Sequence, residues 1–266
     1  NNLRFTGGKA DKGGALYLGG DDATIKCDGC VFDGNLGSAV YLNNASASAW
    51  FNSCVFTGNN STPNSSPYIG RAVLTMMGAA TFFNNCTFGE QVASEKCFGD
   101  VDIRSGKLIF ANSTMIGSAS GGILRVHNGG GNALYLNSLV INKQDPKAIN
   151  YNSTNGSTFI SSYVISGTPQ NGYQRYFAGT PSDTDIAYVK YADIGSPAFD
   201  ETDLVYKWDG KLTGYDKRIS ATDAAELIKT SSPEFHSWLE SINALDRDQL
   251  GNPRSPNNRQ GSWCGN

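Results

Sequence analysis

Charge is scarce in this chain. Of 266 residues only 17% are Asp, Glu, Lys or Arg, and 21 basic side chains against 24 acidic ones leave a net charge of -3. A protein that neutralises phosphates needs a basic stripe, so nucleic acid is not an expected partner. Long apolar runs are lacking too. None approaches the ~18 residues a membrane-spanning helix requires, so no membrane span is expected. A basic, apolar and small-residue leader is also missing. The first residues already read as part of a repeat, so we expect a leader to have been removed from a precursor. A zinc knuckle lacks its second half: Cys27-x-x-Cys30 has no further Cys-x-x-Cys and no His pair after it, and residues three apart on one strand face opposite ways. At 39% hydrophobic and 11% aromatic, the chain is too apolar for disorder.

What the sequence does have is a stretch that recurs. Phe51-Asn52-Ser53-Cys54-Val55-Phe56-Thr57-Gly58-Asn59 aligns with Cys27 to Asn35, with Phe83 to Gly89, and with weaker copies at 110–117, 136–141 and 160–167. A truncated copy opens the chain at Asn1 to Gly7. The anchors are Phe5, Phe32, Phe56, Phe88, Met115, Ile141 and Ile165, spaced by 27, 24, 32, 27, 26 and 24 residues. Self-similarity at roughly 20–50 residues marks a solenoid, propeller or array. Each copy holds three short β-prone runs separated by polar, Gly-rich turns. Besides the anchor run there is one of the type Ala39-Val40-Tyr41-Leu42 and one of the type Lys107-Leu108-Ile109. Three strands and three turns in ~24–27 residues make one coil of a parallel β-helix, with coils stacked at ~4.8 Å. Propeller blades are longer, and the Leu-x-x-Leu-x-Leu of leucine-rich repeats is missing. The expected class is therefore all-β: a right-handed, single-stranded parallel β-helix over residues 1–215, clearest over 1–170, with a short helical C-terminal cap over 216–266.

Period-two alternation assigns faces. In the second run Leu16, Val40, Val73, Val101, Leu124 and Ile149 point inward. Tyr17, Tyr41, Leu74, Asp102, Arg125 and Asn150 point outward and are expected at the surface. Cys30, Cys54 and Cys86 share one repeat position and are expected as a buried ladder of free thiols, while Cys97 and Cys264 fall outside the repeat and could pair. The extra length of the 56–88 repeat, Asn59 to Tyr68, reads as a loop. Near the end, Ser220 and Ser232-Pro233 are helix starts, and Phe235, Trp238, Leu239 and Ile242 lie on one helical face. We expect that helix to cover the open end of the solenoid, with His236 partly exposed. Asp248, Gly251 and Arg254 read as a turn with an internal ion pair.

The recurring Cys/Ser-x-Phe-x-Gly-Asn with Gly-Gly-Ala-x-Tyr-Leu resembles the pectate-lyase-like right-handed β-helix over about residues 1–170. The segment Asp248-Gln249-Leu250-Gly251-Asn252-Pro253-Arg254 is similar to the Asp-x-x-Gly-x-x-Arg run that closes surface lipoproteins of gut bacteria. The resemblance implies an extracellular or cell-surface protein, anchored to an outer membrane in its full precursor, and adhesin-like or glycan-active. A fold carries no function by itself. The Gly-His-Gly and Arg-x-Lys of the polygalacturonase-like hydrolases are absent. The calcium-dependent lyases group Asp residues on a strand face beside an Arg base. The nearest approach here is Asp100, Asp102 and Arg104 on one coil with Arg125 and His127 on the next.

Those residues, with Tyr17 and Tyr41, are the candidate ligand-binding set. Asp102 and Arg125 are expected ~5 Å apart in one outward column, with Arg104 and His127 in the next. Such a column is either a surface ion ladder or a groove for a glycan. Aligned tyrosines are either a sheet-stabilising pair or a platform for a sugar ring. The leading expectation is a non-enzymatic surface module that binds glycan or a surface protein and uses no cofactor or metal. The alternative is a lyase or hydrolase of acidic glycans, with Asp102, Arg125 and His127 as its catalytic candidates. Calcium enters only under that alternative.

Overall fold

The computed structural model describes residues 1–60, 70–77, 79–92, 99–117, 123–126, 133–143, 149–151, 157–160, 162–165, 186–187, 197–207, 220–254 and 262. Its strands come in threes. The first coil is β1 (Arg4–Thr6), β2 (Leu16–Leu18) and β3 (Thr24–Asp28). The second is β4 (Val31–Asp33), β5 (Val40–Leu42) and β6 (Ser48–Asn52), and the third β7 (Val55–Thr57), β8 (Val73–Thr75) and β9 (Ala80–Asn84). Then come β10 (Thr87–Phe88), β11 (Val101–Ile103) and β12 (Lys107–Ala111), and β13 (Thr114–Gly117), β14 (Leu124–Val126) and β15 (Ala133–Leu136). The series closes with β16 (Leu139–Asn142), β17 (Ile149–Tyr151), β18 (Ser157–Ile160), β19 (Ser162–Ile165) and β20 (Ile186–Ala187). Every third strand pairs in parallel, which gives three sheets of orders β1-β4-β7-β10-β13-β16-β19-β20, β2-β5-β8-β11-β14-β17 and β3-β6-β9-β12-β15-β18. This is a parallel β-helix. A short antiparallel hairpin follows, β21 (Ala198–Asp200) with β22 (Val205–Lys207).

The core is a set of side-chain columns. Phe5, Phe32, Phe56 and Phe88 stack face to face at 5.0, 4.7 and 4.7 Å. Beside them Phe51 stacks on Phe83 at 5.2 Å, and the two columns meet edge to face, as between Phe51 and Phe56 at 5.3 Å. The inward assignment for the second sheet holds: Val40, Val73, Val101 and Leu124 are fully buried in this core, with Leu16 packed against it. Met115 pairs with Val140, and Val140 with Val164. The last two anchors therefore shift by one, from Ile141 and Ile165 to Val140 and Val164, and Val140 is the residue in the core.

Two polar devices turn the corners. Three residues before each anchor the chain makes a one-residue bend of positive φ, at Asn2 (55°), Gly29 (63°), Ser53 (50°), Asn85 (54°), Asn112 (48°) and Asn137 (46°). Gly and Asn tolerate this region best. The next residue closes the bend with its own heteroatom. Cys54 Sγ donates to Asn52 O (3.2 Å), Cys86 Sγ to Asn84 O (3.3 Å), Ser113 Oγ to Ala111 O (2.7 Å) and Ser138 Oγ to Leu136 O (2.8 Å). After the anchor, Asn35, Asn59 and Gln91 form an amide ladder. Asn35 Nδ2 donates to Asn59 Oδ1 and Asn59 Nδ2 to Gln91 Oε1, both at 3.0 Å, and each amide also donates to a carbonyl of the coil before. The recurring Gly-Asn is thus a buried hydrogen-bond spine.

Helix α1 (Ala221–Ser231) starts at Ser220, whose Oγ accepts from the Asp223 amide (3.0 Å), and α2 (Pro233–Ser241) starts at Ser232. These helices do not lie over the end of the solenoid. They pack on the outer face of the third sheet, where Trp50, Phe82, Ile109 and Leu134 meet Ile228, Phe235 and Leu239. The reason is in the strands: β6, β9, β12 and β15 carry large apolar residues at outward positions as well as inward ones, and that second face needs a cover. Lys107 Nζ donates to the Ser231 carbonyl at the end of α1, and Asn84 Nδ2 to Ala244 O. His236, expected at the surface, is 91% buried by this docking (9% exposed). Asp248 folds the tail by accepting from the Leu250 and Asn252 amides at 2.9 Å, with Gly251 at φ 84°. Arg254 Nη2 donates to Asn85 Oδ1 on the solenoid (2.8 Å), so this side chain ties the tail to a corner.

Candidate functional site

The acid and arginine column has the expected register but not the expected exposure. Asp102 lies opposite Arg125 and Leu74, and off the inner face. Yet Asp102 is fully buried, Arg125 is 7% exposed and Asp100 is fully buried. Alternation fixes which side of a sheet a residue takes; it does not say whether that side is covered. Asp100 reaches Arg71 Nη2 at 2.7 Å, an ion pair with both side chains out of water, and Arg71 Nη1 also donates to Val92 O (2.9 Å). A Cβ on Gly117 would stand 2.5 Å from Asp100 Oδ2, so this coil needs glycine there. Asp102 Oδ2 lies 3.4 Å from Arg104 Nε. Burial pushes the Asp100 carboxyl up to about 6 despite Arg71, and burial pushes Asp102 up to about 7 despite Arg104 and Arg125. The expectation of an open polar groove is not met at Asp100, Asp102 and Arg125, which are buried. Arg104 keeps part of its side chain in solvent (26%). His127 lies outside the described residues, as do Cys97, Cys264 and 61–68 of the expected loop.

The thiols form a ladder, with one addition. Cys30, Cys54 and Cys86 are free and buried, and so is Cys27. Cys27 is paired with Phe51 in register, so it takes the aromatic position of its coil and points inward. Cys27 and Cys30 both face the core and not opposite ways, because the Gly29 bend lies between them. Burial pushes the Cys27 thiol up to about 12 and raises Cys54 as well. Cys30 is held down to about 6, first by its side-chain contact with Cys54 and further by the Leu3 backbone. Among the described residues no group of three or more His, Cys, Asp or Glu side chains is placed to hold a metal ion.

The tyrosine pair is present. Tyr17 stacks on Tyr41 at 5.6 Å and 25°, but only Tyr17 reaches the surface, at 51% against 6%. Three contacts fix its ring. Tyr41 backs one face, Asn43 Nδ2 donates to its hydroxyl (3.2 Å), and its edge lies where a Gly19 Cβ would come within 2.5 Å. β2 is the edge strand of its sheet among the described residues, so the other ring face has no strand stacked on it. Asn44 Nδ2 donates to Asp21 Oδ1 (2.8 Å), and Lys12 Nζ lies 5.6 Å from the centroid of the Tyr41 ring.

A second aromatic place escaped the sequence reading. Where α2 borders the first two coils, Lys26, Trp50, Glu234, Ser237, Trp238 and Ser241 line an open cleft of about 570 Å³. Glu234, Ser237, Trp238 and Ser241 fall at i, i+3, i+4 and i+7 of the helix, but nothing in the sequence tells that this face borders Lys26 and Trp50. No protein-family model, curated protein or solved structure matches the chain.

Proposed function

We propose that this chain is a non-catalytic, extracellular or cell-surface β-helix module that binds glycan, in the manner of an adhesin. One observation carries the reading: Tyr17 is a half-exposed aromatic ring backed by Tyr41, with the Asn43 amide donating to its hydroxyl. The face of a pyranose is apolar and its rim is hydroxylated. Such a ligand fits an immobilised ring with polar neighbours, because little side-chain entropy is lost on binding. A surface-protein ligand at the same place is the other form of the reading. The low charge and wealth of Asn, Ser, Thr and Gly agree with an extracellular setting, as do the resemblances to pectate-lyase-like solenoids and to surface lipoproteins with the Asp248-to-Arg254 segment.

The test is a glycan array followed by calorimetry on hits. Binding that Tyr17→Ala weakens by about tenfold supports the reading. Binding untouched by that substitution removes Tyr17 from the site, and a silent array removes the reading. The enzymatic alternative draws on Asp102, a carboxyl held near neutrality beside two arginines, which is a feature of catalytic acids and bases. Its burial speaks against it. New absorbance from unsaturated uronate products on acidic polysaccharides would reverse that order.

A further inference from the structure

We infer that the cleft between α2 and the first two coils is a second saccharide subsite, for a neutral pyranoside of glucose-like configuration. The inference rests on the glycan-binding reading and adds to it a place and a ligand class. Trp238 supplies the platform. It is partly exposed and packs at tilted angles against Trp50 at 6.0 Å and Phe235 at 5.8 Å, which holds the ring in place. Trp50 plays a different part. Its indole N–H is already spent on Ser48 Oγ, and Lys26 Nζ lies 4.4 Å over its ring. Lys26 is thereby held at the mouth of the cleft by a cation–π contact.

The polar rim is mixed in kind. Glu234 accepts hydrogen bonds and Lys26 donates them. Ser241 Oγ donates to the Trp238 carbonyl (2.7 Å) and so presents lone pairs, and the exposed Ser237 hydroxyl is able to do either. One ammonium and one carboxylate leave no net charge, which favours a neutral ligand over a uronate or a phosphate. A pyranose with equatorial hydroxyls offers an unbroken C–H face to the indole and a ring of donors and acceptors to the rim. The volume lies within the roughly 300–1,000 Å³ of small-ligand clefts. A peptide would want an extended sheet edge or a longer apolar groove.

The experiment is a titration of the full chain with cellotriose, chitotriose and maltotriose, with mannitol as a hydroxylated control that has no ring. The readout is the indole N–H resonances of Trp50 and Trp238, the latter assigned through Trp238→Phe. At least one trisaccharide should shift both signals saturably, while mannitol leaves them in place. Ser237→Arg fills the cleft from the exposed side without touching the core, and should weaken binding by about tenfold or more; Tyr17→Ala should leave these shifts unchanged. The inference is overturned if Ser237→Arg, folded as the parent by circular dichroism, binds as tightly as the parent, or if no trisaccharide saturates the signals. If trisaccharides bind and only Tyr17→Ala abolishes it, the cleft is no subsite and the reading of Tyr17 stands.

Discussion

Ser53 holds a backbone conformation that serine rarely adopts, at φ 50°, in the same corner where the previous coil has Gly29. The left-handed region costs an ordinary residue roughly 1 kcal/mol or more. Ser53→Gly should therefore raise the urea midpoint or leave it unchanged, and Ser53→Val should lower stability by about 1–2 kcal/mol. The adjoining thiols behave as corner hydroxyls do, since Ser113 and Ser138 make the bonds in later coils that Cys54 and Cys86 make in earlier ones. Cys86→Ser should cost no more than about 1 kcal/mol, whereas Cys86→Leu overpacks the corner by about 1–3 kcal/mol; chemical denaturation separates the two. The buried acids make a prediction with a definite sign. Asp100 and Asp102 bind protons more tightly in the folded chain, at about 6 and about 7, than the 3.8 of a free carboxyl. Folding then takes up protons between these limits. The stability they contribute is complete below about pH 4 and is lost as the pH rises through 7. Unfolding free energy measured from pH 4 to 8 should fall with pH, and Asp102→Asn should flatten that slope even if it lowers stability throughout.

At the scale of elements, the outward apolar residues of β6, β9, β12 and β15 and the apolar faces of α1 and α2 are two halves of one layer. Phe235 lies in its middle, fully buried, 5.9 Å from Trp50 and 5.1 Å from Phe82. Phe235→Ala should cost about 3–5 kcal/mol and make the chain bind a hydrophobic dye, as a loosened helix uncovers Trp50 and Phe82; normal dye binding with a small loss would mean the helices are not needed there. The helices themselves were legible from Ser220, Ser232-Pro233 and the spacing of Phe235, Trp238, Leu239 and Ile242. Their landing place was not. Apolar residues on both faces of β9, in Ala80-Thr81-Phe82-Phe83-Asn84, signal a strand covered twice, and that signal points to a lateral cover. The same gap explains the acid column. Asp102 and Arg125 follow the alternation rule, but whether the outer face meets water depends on what lies over it, and a single strand does not encode that.

For the molecule as a whole, the repeat carried the fold because each coil repeats the same solution. A stacked ring, a bend at positive φ and an amide on the spine recur at fixed offsets, so one copy predicts the next even where the spacing stretches from 24 to 32. The slip of one residue at Val140 and Val164 came where aliphatics replace phenylalanine and neighbouring β-branched residues compete for the anchor. The aromatic places at the surface are the opposite case. Tyr17 was readable as an outward residue of its strand, while the Trp238 cleft joins segments about two hundred positions apart through a contact that only packing creates. Both lie on the first two coils, one on the second sheet and one beside the third. A crystal soaked with a glucose-configured trisaccharide tests that picture most directly. Ordered sugar should lie flat on Tyr17, on Trp238, or on both, with Asp100 and Asp102 untouched; sugar bound elsewhere on the solenoid, or against Asp102, would refute that picture.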